Sequence, residues 1–136
     1  MSFLKNLFGG RQEAVSLPSH PVPASGEPIH VSDADFERVI MQADRPAIVD
    51  LWADWCGPCH RLAPTIAQLA AAYGDRVIVA KLDVDENPRS AARFDVMGIP
   101  TVLFIANGAV VDRLVGVQRY EAFANRIEHL LTAEPA

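Results

Sequence analysis

Trp52-Ala53-Asp54-Trp55-Cys56-Gly57-Pro58-Cys59-His60 follows directly on the apolar run Ala47-Ile48-Val49-Asp50-Leu51. The chain has two cysteines, and both fall in this stretch. They stand three positions apart where a strand gives way to a helix, so they can form and break a disulfide with each other. Ala47 to Ala53 is nearly continuously apolar, as expected for a strand covered on both faces. A helix is expected from Cys56 to about Tyr73, with Leu62, Ile66, Leu69 and Ala70 on its core side. Pro64 inside it predicts a kink, because the ring displaces a backbone hydrogen bond.

Outward from this unit, strands and helices alternate. Pro28-Ile29-His30-Val31 reads as a short edge strand. Ser32-Asp33-Ala34-Asp35 offers a helix start with Ser32 as N-cap, and Phe36, Val39, Ile40 and Met41 form its buried stripe. Val77 to Val84 is a second central strand, and Asn87-Pro88 starts a short helix through Phe94. Thr101 to Ile105 and Val110 to Val115 are strands joined by Asn107-Gly108, a strong hairpin signal. Tyr120 to Leu131 closes the pattern as a helix, with Phe123, Ile127, Leu130 and Leu131 inward. The order βαβαβαββα implies an α/β sandwich, parallel at first and ending in an antiparallel hairpin.

Residues 1–28 differ in composition. Pro18, Pro21, Pro23 and Pro28, with interspersed serines and glycines, read as a flexible extension ahead of one folded domain over residues 29–136. Phe3, Leu4, Leu7 and Phe8 would share one face of a short helix. That face suits a docking peptide or a weak membrane-surface anchor, but so short a helix is marginal in water, which favours a plain flexible tail.

A chain of 136 residues accommodates one domain with a real core. A formal charge of −5 with scattered basic residues excludes a nucleic-acid footprint. No run approaches the ~20 apolar residues of a membrane span. The first ten residues lack the basic region and apolar core of a signal peptide. The expected setting is therefore cytoplasmic and reducing, where a close cysteine pair is catalytic rather than structural. A monomer is expected.

The ordered set of motifs resembles the thioredoxin family over about Ile29 to Leu131. It comprises Val49-Asp50, Trp52 to Cys59, Ala63-Pro64, Val79 to Asp85, Gly98-Ile99-Pro100-Thr101, Asn107-Gly108 and Val115-Gly116. The resemblance implies a central mixed five-stranded sheet flanked by four helices. It also implies a general protein-disulfide reductase, a thiol–disulfide oxidoreductase with no bound cofactor. Such a protein carries electrons from NADPH, through a flavoprotein thioredoxin reductase, to disulfide-containing target proteins.

In that reading Cys56 is the nucleophile. Thiolate is the reactive form, and a helix N-terminus favours negative charge, so a lowered pKa and a solvent-accessible sulfur are expected for Cys56. Cys59, one turn on and deeper, would resolve the mixed disulfide. Gly57 permits close approach of a substrate chain and Pro58 stiffens the turn; the family associates this Gly-Pro pair with reducing character. Asp50 matches a buried acid of the family, and burial would raise its pKa and suit it to take a proton from Cys59. Lys81 matches the lysine that pairs with that acid. Pro100 matches a cis-proline facing the disulfide, which would free the Ile99 backbone to pair with an extended substrate. Trp55 is an apolar lip beside Cys56, and Gly98, Ile99, Pro100, Val115, Gly116 and Val117 complete a shallow groove. Trp52 is assigned to the core under the loop.

Three rival readings remain. Cys56 to His60 also spells C-x-x-C-H, a haem attachment pattern. Pro58 and the surrounding motifs argue against it, and His60 reads as an exposed helix residue. A binding or chaperone module could use the same groove with the thiols incidental, and residues 1–28 as its docking arm. A thiol oxidase or isomerase would run the same chemistry in reverse.

Overall fold

The computed structural model describes residues 26–133. Most of the sequence-defined extension, including Phe3, Leu4, Leu7 and Phe8, lies outside the described residues. Five strands form one mixed sheet: β1 (Ile29–His30), β2 (Ala47–Trp52), β3 (Ile78–Asp83), β4 (Thr101–Ala106) and β5 (Ala109–Val115), in the order β1-β3-β2-β4-β5. β3 is parallel to β1 and β2, whereas β4 runs antiparallel to both β2 and β5. Among the described residues, three α-helices accompany it: α1 (Gly57–Tyr73), α2 (Pro88–Arg93) and α3 (Tyr120–Thr132). A fourth helical segment, Glu37–Met41, is π-wound.

Alternation along the strands separates two cores. Ala47, Val49 and Leu51 of β2 pack with Phe36, Val39 and Ile40 on one side of the sheet. Ile48, with Val79, Val102 and Phe104, packs beneath Leu62, Ile66 and Leu69 of α1 and Phe123 and Ile127 of α3 on the other. Leu130 and Leu131 are only partly buried at the edge of that second core. Asp50 and Trp52, in phase with Ile48, therefore point to the face that α1 covers. The buried side chains of α1, Cys59, Leu62, Ile66, Leu69, Ala70 and Tyr73, recur at helical spacing. α1 runs as one helix across Pro64. It is tied to α3 by Tyr73, whose hydroxyl donates to Glu128 Oε2 at 2.7 Å.

Asn107 (φ 54°) and Gly108 (φ 75°) are both left-handed, which is the conformation a tight hairpin of the β-twist requires. The expected Ser32 N-cap is corrected. The Ser32 amide and hydroxyl both donate to Asp35 Oδ1, at 2.7 and 3.1 Å, and no side chain makes a cap bond to the segment that follows. The helical segment that follows begins only after Phe36.

Candidate active site

Cys56 and Cys59 form a disulfide at the N-terminus of α1, with their Cα atoms 5.3 Å apart. Cys56 is the N-cap: its backbone is extended, and its sulfur accepts the Cys59 amide at 3.2 Å. A sulfur thus occupies the place usually held by a serine or aspartate oxygen. Pro58 lies in the first turn, where its missing amide leaves no helical bond unmade. The Cys56 amide donates to the Ala53 carbonyl at 3.1 Å, which tightens the loop between β2 and α1.

The expectation of a solvent-accessible Cys56 sulfur is corrected. Cys56 is 3% exposed and Cys59 2% exposed. Both pack with Ala53, under Trp52, Val84 and Ile99. Cys56 borders a cavity of about 440 Å³ lined by Trp55 to Pro58, Val84, Ala91, and Val96 to Ile99. The lining is mainly apolar. Trp55 is 70% exposed, with its indole N–H held by Asp85 Oδ2 at 2.9 Å.

The Ile99–Pro100 peptide bond is cis. The Ile99 carbonyl oxygen lies 3.9 Å from Cys56 Sγ. Pro100 itself is buried, and its carbonyl accepts the Gly116 amide at 2.8 Å. Gly116 has φ 87°, a left-handed turn that glycine makes at no steric cost. Val115 is exposed, and neither it nor Pro100 nor Gly116 lines the cavity above the disulfide. The expected groove residues thus divide. Trp55, Gly98 and Ile99 line the cavity; Pro100 and Gly116 do not, and are hydrogen-bonded to each other.

Asp50 is 1% exposed on the face under α1, and neither carboxylate oxygen has a hydrogen-bond partner among the described residues. Burial pushes its pKa from the ordinary 3.8 up to about 7, and the Lys81 charge opposes that rise only in part. Lys81 is the register partner of Asp50 across β2 and β3. Its ammonium sits 4.7 Å over the Trp52 ring, a cation–π contact, rather than on the carboxylate. Trp52 is half-buried, bridging this pair and the disulfide cluster. His60 is engaged locally, with Nε2 2.6 Å from the Asp54 carbonyl oxygen and its ring edge-on to Trp52. Among the described residues, no three His, Cys, Asp or Glu side chains are grouped to hold a metal ion.

Two features escaped the sequence reading. Val84, Ala91, Val96 and Met97 also line the cavity; the apolar pair Val96-Met97 directly before Gly98-Ile99 was the available signal. The second is Asp33, which was only part of a helix start. Its Oδ1 accepts the Ser90 amide at 2.8 Å and the Ser90 hydroxyl at 2.6 Å, and its Oδ2 accepts the Arg89 amide at 3.1 Å. Asp33 therefore caps α2 from a distant loop, while the formal N-cap, Asn87, makes no side-chain cap bond. The Asn87 side chain instead accepts the Asp33 amide at 2.9 Å, closing the clamp. α2 carries Ala91 and leads into Val96 and Met97, so Asp33 fixes one wall of the cavity.

Partial burial raises the Asp33 pKa, but the bonds from Ser90 and Arg89 outweigh it and hold the carboxyl below its ordinary value. A lowered pKa contributes stability above the unfolded value and loses it as pH falls through the folded one. Asp33→Ala is expected to destabilise the protein by about 2 kcal/mol at pH 7. The difference should shrink below about pH 4. Urea unfolding of both proteins at each pH measures it, and an undiminished difference at low pH would refute the charge-based account.

The chain matches the family model described as Thioredoxin over residues 27–129. It is similar to Thioredoxin 2 of Chlorobaculum tepidum, 43% identical over 107 residues that cover 78% of this chain and 98% of that protein. It is also similar to the thioredoxin of Haemophilus influenzae, 44% identical over 101 residues, covering 74% of this chain and 94% of the relative. The thioredoxin of Rhodospirillum rubrum is 48% identical over 86 residues, covering 63% of this chain and 83% of its own length.

Proposed function

The chain belongs to the thioredoxin family and is a protein-disulfide oxidoreductase that needs no bound cofactor, and we propose the following assignment of its residues and setting. Cys56 thiolate attacks one sulfur of a target disulfide and expels the other as a thiolate. Cys59 then loses its proton to Asp50 and attacks Cys56 Sγ, so the second target sulfur leaves and the Cys56–Cys59 disulfide forms. Two electrons pass from the dithiol to the target, and nothing else is consumed.

The observation that carries this reading is the Cys59 amide donating to Cys56 Sγ at 3.2 Å at a helix N-terminus. That donor and the helix dipole favour negative charge on the sulfur of Cys56, a residue that lines the apolar cavity. Asp50, buried on the face under α1, has the raised pKa that suits proton exchange near neutrality. Lys81 modulates that carboxylate by charge across the register. Ile99 offers its backbone to an extended target segment, and Trp55 and Gly98 border the same groove.

Residues 29–136 act in this reading as a monomeric catalytic domain in the cytoplasm, with residues 1–28 a flexible extension. Electrons come from NADPH through a flavoprotein thioredoxin reductase and pass to disulfide-containing proteins, which makes the chain a component of electron transport and redox homeostasis. No helix among the described residues is long and apolar enough to cross a membrane. The oxidase, isomerase and pure binding-module readings are not favoured by the relatives, which are thioredoxins.

The test is equilibration of the Cys56–Cys59 pair against a graded thiol–disulfide buffer, followed by NADPH-coupled turnover with a thioredoxin reductase. A strongly reducing couple that turns over supports the assignment. A couple displaced by tens of millivolts towards oxidising points to an oxidase or isomerase, since about 30 mV is a tenfold change in equilibrium.

A further inference from the structure

Met97 is the most exposed large apolar side chain among the described residues, at 91%, yet it lines the cavity that leads to Cys56. Its backbone is fixed from both sides. Asp95 takes a left-handed turn (φ 59°) at the end of α2, and the Val96 amide donates to the Ala91 carbonyl at 2.9 Å. Beyond it, the Gly98 carbonyl accepts the Thr101 hydroxyl at 2.6 Å. The chain is thus held so that an unbranched thioether stands in solvent beside the reactive disulfide. Such a side chain adapts to many apolar partners. It is also open to oxidation, whereas Met41 is 8% exposed in the core.

We propose that Met97 is a target-contact residue whose thioether is a modification site for hydroperoxides, and that its oxidation weakens target binding while leaving the dithiol chemistry intact. The proposal rests on the disulfide-reductase reading above. In the step, the Met97 sulfur attacks the terminal peroxide oxygen and the O–O bond breaks. Proton transfer then releases water from hydrogen peroxide, or an alcohol from an organic hydroperoxide. The sulfur loses two electrons and the peroxide gains them. The product sulfoxide is polar and chiral, so a target that covers it must desolvate a strong acceptor without a partner. A thiol-dependent sulfoxide reductase would restore the thioether.

The experiment treats the full chain, in its disulfide form, with hydrogen peroxide, removes the peroxide, and locates added oxygen by peptide mass mapping. Reduction kinetics on a protein disulfide are then measured before and after treatment. The untreated protein is assayed first, and failure to reduce any disulfide there would sink the parent reading rather than this one. In the wild type, one oxygen is expected on Met97, with KM raised about three- to tenfold and kcat within about twofold. In Met97→Leu, KM after treatment should equal that variant's own value before it. An unoxidised Met97 in a chain oxidised elsewhere would overturn the proposal. So would an oxidised Met97 with unchanged KM, or the same KM rise in Met97→Leu.

Discussion

Cys56→Ser is expected to lower disulfide reduction by at least about three orders of magnitude, to the rate of the thiol buffer alone. The hydroxyl that replaces the thiol is not ionised near neutrality, so the charge favoured by the Cys59 amide and the α1 N-terminus never forms. The companion change behaves differently. Cys59→Ser keeps the attacking sulfur and loses the resolving one, so it should stop after one bond exchange and accumulate a mixed disulfide between Cys56 and the target. Turnover assays and mass spectrometry under non-reducing conditions separate the two. A Cys56→Ser protein with wild-type turnover, or a Cys59→Ser protein that traps nothing, would remove the assignment of roles.

Asp50→Ala should make the protein more stable, not less. The Asp50 carboxyl titrates near 7 in the folded chain against an ordinary 3.8, because burial disfavours its charge. A raised acid pKa costs nothing below the unfolded value; the cost accrues between the unfolded and the folded values and levels off above the folded one. At pH 8 the ionised, unbonded carboxylate then costs on the order of 4 kcal/mol, and removing it should return much of that. At pH 4 the wild type and the variant should be nearly equal. Urea unfolding of the oxidised proteins at both values tests the sign, and a variant less stable than wild type at pH 8 would contradict it. The same change should slow resolution by about tenfold to a hundredfold near pH 7 to 8, where the wild-type carboxyl is ionised, and by less at lower pH, where Asp50 is itself protonated.

Local patterns carried the architecture. The periods of two and 3.6 placed the strands and helices, and Asn107-Gly108 fixed the hairpin, because those signals sit within a few residues of what they determine. Asp50 was legible for the opposite reason, as a charge within an apolar run. What stayed hidden depends on residues that meet only after folding. Asp33 caps a helix 55 residues away in sequence, and its own neighbours, Ser32 and Asp35, suggested a nearer job. Lys81 looked like an ion-pair partner, but Trp52 beside it on the same sheet face draws the ammonium onto its ring. The position of Cys56 on the helix was readable, whereas its depth was not, since Ile99 and Val84 pack against it from other loops.

The sheet order also has a consequence for the chain as it is made. Cys59 is synthesised roughly 40 residues before Ile99, whose segment covers the disulfide and leads into β4, the antiparallel neighbour of β2. At about 5–20 residues per second the two thiols spend about 2–8 s on the nascent chain before their cover exists. During that interval the pair lacks the Ile99 segment above it, yet the outcome is insensitive to timing. With two cysteines in the sequence, only one intramolecular pairing is available, and it is the pairing of the finished protein. Early oxidation during translation therefore leads to the same redox form as late oxidation, with no scrambled isomer to be sorted afterwards.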